Sequence, residues 1–389
     1  MEKTPLSMRK QIALVGDTNA GKSTLFNRLL GQEVSIVSAV QGTTTDPVTK
    51  AMELIPYGPV ALIDTAGLGD ETELGKQRTE KTSRILDRVD LILYVVDASN
   101  ATAGAIYFSK PFFVVYNKCD LLPEDELNWL KEVNPEAVFL SDYGNDGIEN
   151  LKERIIKELT KQDRNDETWI GDLLPSKSTV VLVTPIDDAA PKGRMILPQM
   201  QILRDCLDHD MKAFVTKENT LEDALCELKK VDLVITDSQV FGSVNAIVPK
   251  EIPLTSFSML LARKKGDFQQ YMDGIKYFSN LKDGDKILVM EGCAHNVTHE
   301  DIGRKKIPAL IKKNTGATCR FDYATGYDFP ERLDDYSMAL CCGMCMISKE
   351  EILSRMDKLK EAGIPVVNYG IALAYLNGIL ERATAIFHK

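Results

Sequence analysis

Long apolar runs are missing from this sequence. No stretch approaches the roughly 20 apolar residues that a helix needs to span a bilayer. The polar segment Met1 to Lys10 leads straight into a short apolar strand, without the apolar core of a secretory signal. We therefore expect a cytoplasmic protein with no membrane partner.

An excess of basic residues is missing as well. The 47 Lys and Arg residues are outnumbered by 57 Asp and Glu residues, and the formal net charge is -10. A protein that wraps nucleic acid needs clustered positive charge to displace counterions from the phosphates. We therefore expect no nucleic-acid partner.

The residues that are present fit a folded protein of several domains. Apolar residues make up 44% of the 389 residues and charged residues 27%, the usual balance of a globular protein. At roughly 100 to 200 residues per domain, this length predicts two to four domains. The segment pattern favours three α/β domains, at 1–165, 166–268 and 269–389.

Short apolar runs alternate with helical patterns in the first domain, which is typical of βα units on a mostly parallel sheet. The predicted strands are Gln11–Val15, Val60–Ile63, Leu91–Val96, Phe112–Tyr116 and Ala137–Leu140. The charged stretch Lys161 to Thr168 is expected to be a linker. The crossover over residues 98–110 is barely long enough for a parallel connection. Either its helix is unusually short or a segment is absent from the chain.

The two later domains repeat this alternation on a smaller scale. The predicted strands are Thr179–Val183, Ala213–Val215, Leu233–Ile235, Lys286–Met290, Ser337–Leu340 and Val366–Val367. The predicted helices are Leu197–Leu207, Leu221–Lys229 and Ile371–Phe387. We expect the apolar segment Leu254–Leu261 near a sheet edge, where it could pair with a second copy of the chain and give a homodimer.

A phosphate-binding loop follows the first predicted strand. Residues Gly16 to Ser23 read G-D-T-N-A-G-K-S and match the pattern G-x-x-x-x-G-K-[ST]. In such a loop the backbone N–H groups curl around the phosphates at a helix N-terminus. Lys22 is expected to reach the β- and γ-phosphates, and Ser23 to bind Mg²⁺. Nucleotide contacts are predicted at Gly16, Asn19, Ala20, Gly21, Lys22, Ser23 and Thr24.

A second motif selects guanine over adenine. The pattern alone would also fit an ATPase, but Asn117, Lys118 and Asp120 belong to N-K-C-D at the end of a later strand. The Asp120 carboxylate can accept hydrogen bonds from the ring N–H and the amine of guanine, which adenine does not offer. A site with an unpaired buried acceptor rejects the wrong ligand. Ser141 and Asp142, after the last strand, are expected to touch the base.

Two further segments complete the predicted GTPase site. Asp64 and Gly67 belong to D-T-A-G at the end of a predicted strand, where Asp64 can hold Mg²⁺ through water and the Gly67 N–H can meet the γ-phosphate. Thr44, in G-T-T-T-D, is expected to close over Mg²⁺. The catalytic residues predicted for hydrolysis are Lys22, Thr44, Asp64 and Gly67. The loops that carry Thr44 and Gly67 would be switches that order with GTP.

The cysteines of the last domain form two half-sites. Cys293 and His295 follow one predicted strand, and Cys342 and Cys345 form C-x-x-C after another. The carboxyl ends of parallel strands meet at one edge of a sheet, so the half-sites can converge. Zinc is the rival metal, but structural zinc usually takes two closely spaced ligand pairs. Three thiolates suit an iron–sulfur cluster with one iron left for another ligand.

The remaining cysteines receive a simpler interpretation. A reducing compartment favours thiols or metal ligands over disulfides. Burial is the usual fate of a free cysteine. We therefore expect four isolated cysteines to be small packing residues, namely Cys119, Cys206, Cys226 and Cys319.

Residues 11–159 resemble the translation-factor-related GTPases of the tRNA-modification and ribosome-assembly branch, whose phosphate loop also carries an Asn at the position of Asn19. Leu68 stands where Ras-like proteins place the Gln that orients water. The resemblance implies that Asn19 helps to hold K⁺ near the phosphates, in the charge-neutralising role of an arginine finger, and that K⁺ stimulates hydrolysis.

Nearly the whole chain resembles the [FeFe]-hydrogenase maturation GTPases of the HydF family, which bear C-x-H and H-C-x-x-C motifs. The resemblance implies a GTPase domain, a dimerisation domain and a [4Fe-4S] domain. It also implies a scaffold that receives a diiron precursor from radical SAM maturases and delivers it to apo-[FeFe]-hydrogenase. Cys341 departs from the family pattern, because it replaces the His before C-x-x-C. His295 or Glu300 is then the expected fourth ligand, and the two stay open.

A rival interpretation keeps the GTPase but changes its purpose. The chain would be a switch for RNA modification or ribosome assembly, and its cysteines would form a structural zinc site. The acidic charge disfavours this alternative.

Overall fold

The computed structural model describes residues 8–31, 48–65, 82, 85–100, 107–141, 146–164, 168–186, 195–292 and 302–388. The described residues fall into two compact units, Met1–Asp166 and Glu167–Lys389. Within them, no helix has both the length and the apolar character needed to cross a membrane.

The first unit is built on a six-stranded sheet in the order β2-β3-β1-β4-β5-β6. Strand β2 runs antiparallel to β3, and all other neighbours are parallel. The strands are β1 (Lys10–Val15), β2 (Val48–Leu54), β3 (Gly58–Asp64), β4 (Leu91–Asp97), β5 (Phe112–Asn117) and β6 (Val138–Phe139). The predicted mostly parallel sheet is confirmed. The antiparallel edge strand β2 was not predicted.

The helices that accompany this sheet include α1 (Lys22–Leu30), α2 (Glu124–Val133) and α3 (Asp146–Arg164). Helix α1 ends at Gly31, whose φ of 68° is in the left-handed region that favours glycine. Helix α3 buries one apolar stripe at helical spacing, Ile148, Leu151, Ile155 and Leu159. This helix continues to Arg164, so the expectation of a linker from Lys161 is wrong for its first four residues.

The second unit contains two four-stranded sheets, and every described pair in them is parallel. Their orders are β10-β9-β7-β8 and β12-β11-β13-β14. The strands are β7 (Thr179–Val183), β8 (Lys212–Thr216), β9 (Leu233–Thr236), β10 (Leu254–Ser256), β11 (Lys286–Glu291), β12 (Arg320–Thr325), β13 (Met338–Cys341) and β14 (Val366–Asn368). Strands β10 and β12 were not predicted.

The helices of the second unit follow the strands in βα fashion. They are α4 (Leu197–Asp208), α5 (Leu221–Glu227), α6 (Phe241–Ile247), α7 (Phe257–Lys265), α8 (Phe268–Gly274), α9 (Ile307–Thr315), α10 (Lys349–Glu361), α11 (Tyr369–Leu376) and α12 (Leu380–Thr384). The single helix predicted over Ile371–Phe387 is wrong. It is broken between α11 and α12, where Gly378 has a φ of 69°.

One apolar core joins the two sheets of the second unit. It contains Val181 and Val234 of the first sheet together with Val289 and Leu340 of the second, all fully buried. Burial of each such side chain contributes about 1.5–3 kcal/mol. The structure thus groups the expected second and third domains in one compact unit, and the domain boundary at 268/269 stays a prediction.

The expected sheet-edge segment Leu254–Leu261 has a different role. Strand β10 does lie at a sheet edge, but all three of its residues are buried, and helix α12 contacts it. The rest of the segment belongs to the largely buried helix α7. The apolar residues of this segment fill the core of their own chain, and its pairing with a second copy stays a prediction.

Candidate functional site

The phosphate loop lies tightly between β1 and α1. A Cβ added to Gly16 would lie 2.0 Å from the Val95 carbonyl oxygen, and the φ of Gly16 is +151°. A Cβ added to Gly21, at a φ of +89°, would lie 2.1 Å from Asn117 Nδ2. Only glycine fits at these two positions, so the loop can pack directly on β4 and β5.

The Lys22 side chain lies inside the loop. Its Nζ donates hydrogen bonds to the carbonyl oxygens of Gly16 at 2.9 Å and Asp17 at 2.7 Å. Burial lowers the pKa of Lys22, while the charges of Asp64 and Asp17 oppose this shift. The ammonium group is thus held where the loop's N–H groups would surround phosphate oxygens.

Ser23 and Asp64 come together at the carboxyl end of the sheet. The Ser23 hydroxyl donates to Asp64 Oδ2 at 2.8 Å. Burial raises the pKa of Asp64, and the bond from Ser23 and the charge of Lys22 oppose the rise. Asp64 Oδ1 is buried and has no hydrogen-bond partner among the described residues. Mg²⁺ binds only a few protein oxygens, and a buried carboxylate oxygen beside a serine hydroxyl is suitable for it.

The base motif is tied to the phosphate loop by two hydrogen bonds. Asn117 Nδ2 donates to the Ala20 carbonyl oxygen at 3.1 Å, and Lys118 Nζ donates to that of Asn19 at 2.7 Å. Lys118 has a φ of 60° and so turns back from the end of β5. The two motifs, almost 100 residues apart in sequence, therefore form one site.

Asp97 is a member of this site that the motif analysis missed. Its Oδ2 lies 2.6 Å from Lys118 Nζ, and its Oδ1 accepts hydrogen bonds from the Ser99 N–H and hydroxyl. Burial alone would raise the pKa of Asp97, but the bonds from Lys118 and Ser99 outweigh it and the pKa is lowered. Its position at the end of β4, beside the other strand ends, was the available signal.

The other predicted nucleotide contacts are only partly described. Asp120 is exposed in the 3-10 turn Cys119–Leu121, and Asn19 and Thr24 are exposed on the loop and on α1. The Ser141 carbonyl oxygen accepts a hydrogen bond from Arg28 at 2.9 Å. Three predicted residues of the nucleotide site lie outside the described residues, namely Thr44, Gly67 and Asp142. The described part of the short crossover begins with the 3-10 turn Ala98–Asn100.

The strands that carry the two cysteine half-sites are neighbours. Strands β11 and β13 pair in parallel, with Met290 opposite Cys341. The N–H of Gly292, the residue before Cys293, donates to Cys342 Sγ at 3.1 Å, and the Met344 N–H donates to the same sulfur at 3.3 Å. Cys293, His295 and Glu300 themselves lie outside the described residues.

The surroundings of Cys342 suit a sulfur bound to metal. Burial raises the pKa of Cys342 to about 11, although the two backbone hydrogen bonds favour the thiolate. A bound cation would offset the cost of burial and keep the sulfur ionised. In the described ranges, which omit residues 293–301, no group of three or more His, Cys, Asp or Glu side chains could hold a metal.

The Cys341 side chain lies in the core of the second unit. It is 2% exposed, and its thiol donates to the Tyr271 hydroxyl at 3.3 Å within the core. Burial raises the pKa of Cys341 to about 12. Side chains alternate along a strand, so adjacent cysteines at the end of β13 occupy different surroundings.

A lysine outside the cysteine motifs also reaches this site. Lys265 Nζ donates to the Ile347 carbonyl oxygen at 2.8 Å and to that of Cys345 at 3.2 Å. Burial lowers the pKa of Lys265 to about 8, and the charges of Cys345, Glu350 and Cys342 oppose the shift. No sequence signal marked this residue, because a lysine at a helix end is usually solvated.

The isolated cysteines only partly match their expected role. Cys119 and Cys206 are buried, as predicted for packing residues. Cys319 is half-buried, and Cys226 is exposed, so the prediction is wrong for Cys226. Cys226 lies on the short helix α5, of which only Leu221 and Ala224 are buried.

Three family models match successive parts of the chain. Residues 11–118 match the model described as 50S ribosome-binding GTPase. Residues 169–266 match the hydrogen maturase F dimerization domain, and residues 268–386 match the hydrogen maturase F tetramerization domain.

Curated relatives resemble one part of the chain. A probable tRNA modification GTPase MnmE of Cyanidioschyzon merolae is 35% identical over 167 residues, 42% of this chain and 37% of that protein. GTPase Der of Wolinella succinogenes is 35% identical over 189 residues, 44% of this chain and 40% of that protein. The chain thus spans about two fifths of the length of these relatives.

A solved structure of Era from Aquifex aeolicus shares 20% identity, with a TM-score of 0.32, over 53% of this chain and 93% of that one. The two hydrogen maturase F models together cover more than half of the chain and adjoin its P-loop GTPase domain. These matches confirm the predicted resemblance, and the chain belongs to the hydrogen maturase F (HydF) family.

Proposed function

We propose that this protein is a GTP-hydrolysing scaffold that binds a [4Fe-4S] cluster and delivers the diiron precursor to apo-[FeFe]-hydrogenase. The observation that supports the proposal is the parallel pairing of β11 and β13, the strands that precede the two cysteine half-sites, together with the hydrogen bond from the Gly292 N–H to Cys342 Sγ. Membership of the hydrogen maturase F family supplies the biological purpose.

In the nucleotide site, the proposed roles concern the phosphates, Mg²⁺ and the guanine base. Lys22 neutralises charge on the β- and γ-phosphates. Ser23 would bind Mg²⁺ directly and Asp64 would hold it through water, and the ion would neutralise charge developing on the phosphates. The proximity of Ser23 and Asp64 and the unpartnered Asp64 Oδ1 support this assignment. Asp120 accepts the donors of guanine. Thr44, Gly67 and Asp142 keep their predicted roles as proposals.

GTP hydrolysis needs an assisting group besides Lys22 and Mg²⁺. Leu68 cannot orient water, and we propose that K⁺ near Asn19 supplies the missing positive charge. Asn19 is exposed at a φ of 67°, and Lys118 holds its carbonyl oxygen at 2.7 Å. This anchoring would fix the loop while the Asn19 side chain stays accessible to a cation.

On the cluster side, we propose Cys293, Cys342 and Cys345 as the three thiolate ligands. The two backbone N–H groups at Cys342 Sγ support its role, since such bonds stabilise a ligating thiolate. His295 and Glu300 remain candidates for the fourth iron. A carboxylate or imidazole there binds this iron less tightly than a thiolate, so the precursor could displace it.

The partners follow from the family. We propose that radical SAM maturases supply the precursor in the cytoplasm and that apo-[FeFe]-hydrogenase receives it.

The dimerization and tetramerization domains support oligomerization, and we propose a homodimer as the basic assembly. The rival, a GTPase for RNA modification or ribosome assembly with structural zinc, is not favoured, because residues 169–386 match hydrogen maturase F.

Metal analysis tests the proposal directly. The full chain, prepared without oxygen, is expected to contain about four iron and four sulfide per chain and to give the EPR signal of a reduced [4Fe-4S] cluster. A Cys342→Ser variant should lose most of both, while a Cys226→Ser variant, which changes an exposed cysteine, should keep them. A chain that binds stoichiometric zinc and no sulfide would instead favour the rival function.

A further inference from the structure

Helix α7 brings one charged group to the C-x-x-C loop. Lys265, the last residue of α7, is only 8% exposed. Its Nζ lies 2.8 Å from the carbonyl oxygen of Ile347, 3.2 Å from that of Cys345 and 3.5 Å from that of Met344. Three acceptors around one nitrogen match the three donors of a lysine ammonium group. The geometry therefore favours the charged form.

The acceptors belong to the turn that carries the second cysteine of the motif. Met344 lies between Cys342 and Cys345 at a φ of 51°, and its carbonyl oxygen also accepts the Ile347 N–H at 3.1 Å. The Met344 N–H in turn donates to Cys342 Sγ. Lys265 thus holds the backbone of the same turn that supplies a hydrogen bond to a proposed ligand sulfur.

The close packing of α7 on this region makes the contact possible. A Cβ added to Gly343 would lie 2.9 Å from Leu261 Cδ2, and a Cβ added to Gly370 would lie 2.6 Å from the Cβ of Ser258. Leu261 and Ser258 both belong to α7. The helix therefore lies directly against the cysteine loop, with Lys265 at the end nearest the turn's carbonyl groups.

The hydrogen bonds that the structure shows for Lys265 all go to neutral carbonyl groups. The charges of Cys345, Glu350 and Cys342 favour its ionised form. A buried charge of this kind is costly unless an opposite charge lies nearby. A cluster held by three thiolates has a net negative charge, which one-electron reduction increases. A fixed positive charge beside the thiolates stabilises the reduced cluster more than the oxidised cluster.

We propose that Lys265 is a positioning residue of the cluster site, which fixes the turn Met344–Ile347 and, through its charge, raises the reduction potential of the cluster. This inference rests on the proposed cluster at Cys342 and Cys345. Among the described residues, the hydrogen bonds of Lys265 go to backbone carbonyl oxygens, and we do not propose it as a ligand.

The test uses the full chain as wild type, Lys265→Met and Lys264→Met. The control removes the same charge one residue earlier, from a half-buried side chain on the same helix. In the metal-free proteins, we expect hydrogen exchange at the amides of residues 342–347 to be about tenfold faster in Lys265→Met than in wild type or the control. This measurement reports the turn and needs no cluster.

The second measurement is an EPR-monitored redox titration after anaerobic reconstitution with iron and sulfide. We expect the equilibrium constant for cluster reduction to fall about tenfold in Lys265→Met, a shift of about 59 mV to more negative potential for one electron. The control should stay near wild type. A purely structural role would alter exchange and iron content but leave the potential of the assembled cluster unchanged.

The outcomes separate this inference from the proposed function. A wild-type chain that holds no cluster overturns the proposed function whatever Lys265 does. If wild type holds a cluster and the cluster potential is the same in Lys265→Met and Lys264→Met, the inference alone is overturned.

If Lys265→Met does not fold, Lys265→Gln replaces it, because the amide keeps a donor and removes the charge. If neither variant folds while the control does, Lys265 serves the fold and the proposed tuning role is overturned.

Discussion

At the scale of single residues, Asp120 carries the proposed choice of base. Its carboxylate offers two acceptor oxygens, which match the two adjacent donors of guanine. The amide of an asparagine would offer one oxygen and an NH₂ group, which opposes one of those donors. The neighbouring Asn117 and Lys118 bind the phosphate loop through Ala20 and Asn19, so they hold the motif in place. The proposed selection of guanine over adenine therefore depends mainly on the Asp120 side chain.

We expect Asp120→Asn to weaken GTP binding by at least about 100-fold and to improve binding of XTP, whose base has a carbonyl where guanine has an amine. Equilibrium titration with fluorescent analogues of both nucleotides measures the change. Asp125→Asn removes the same charge from an exposed position in the first turn of α2 and serves as control. A variant that still prefers GTP to XTP would show that the assignment of Asp120 is wrong.

A second residue, Asn19, carries the proposed response to potassium. GTP hydrolysis should be at least about tenfold faster in KCl than in NaCl, which is a barrier lower by about 1.4 kcal/mol. Asn19→Gly removes the side chain but tolerates the φ of 67°. We expect this variant to lose the stimulation and to keep its GTP affinity within about threefold. Equal wild-type rates in both salts would contradict the K⁺ assignment.

At the scale of elements, the end of β13 separates two adjacent cysteines. Cys342 Sγ accepts two backbone hydrogen bonds beside the end of β11, whereas the Cys341 thiol contacts Tyr271 in the core. We expect Cys342→Ser to lose most of its iron and Cys341→Ser to keep most of it. Iron and sulfide analysis of both variants, prepared side by side without oxygen, checks this. Complete loss of the cluster in Cys341→Ser would indicate four-thiolate ligation.

Strand β8 is the exposed edge strand of the β10-β9-β7-β8 sheet in the described residues. Its Val215 is 42% exposed, and residues 169–266 match the family's dimerization domain. We propose that β8 pairs with β8 of a second copy. Val215→Asp would add a negative charge to the paired edge strand of each copy, and we expect at least about tenfold weaker dimerisation by sedimentation.

The matched control for this edge is Val48→Asp. Val48 is 39% exposed and belongs to β2, one of the two edge strands of the first unit's described sheet. This change should leave the assembly unaltered. If both variants dimerise as wild type does, the dimer forms through another surface.

The elements also show what the sequence could and could not predict. Buried parallel strands such as β1, β4 and β7 were found almost to the residue, because their apolar runs are continuous. Strand β2 was missed because its residues are mostly exposed and lack that pattern. The break at Gly378 was missed because apolar residues continue on both sides of it.

The residues of the two candidate sites also differ in how well the sequence predicted them. Motif residues such as Lys22 and Asn117 were predicted because their spacing repeats in many proteins. Asp97 and Lys265 belong to no motif, and only the folded chain brings them to Lys118 and to the Cys345 carbonyl group. Contacts that depend on tertiary packing leave little trace in local sequence.

At the scale of the whole molecule, nucleotide and cysteine motifs lie in different compact units. The first unit, Met1–Asp166, contains the phosphate loop and the base motif, and the second, Glu167–Lys389, contains Cys342 and Cys345. The second unit has its own core, which joins its two sheets. We therefore expect its cysteine site to fold without the nucleotide.

We expect this division to separate the two activities. Lys22→Ala should lower GTP hydrolysis by at least about 100-fold, because the ammonium group that neutralises the phosphates is gone. The same variant should keep the iron content and EPR signal of wild type, since its change lies in the first unit. GTP would then govern delivery or partner release and not cluster assembly. Activity, iron and circular dichroism are measured on one preparation. Loss of the cluster in a Lys22→Ala protein with an intact circular dichroism spectrum would contradict the separation, and would mean that the nucleotide site takes part in building the cluster.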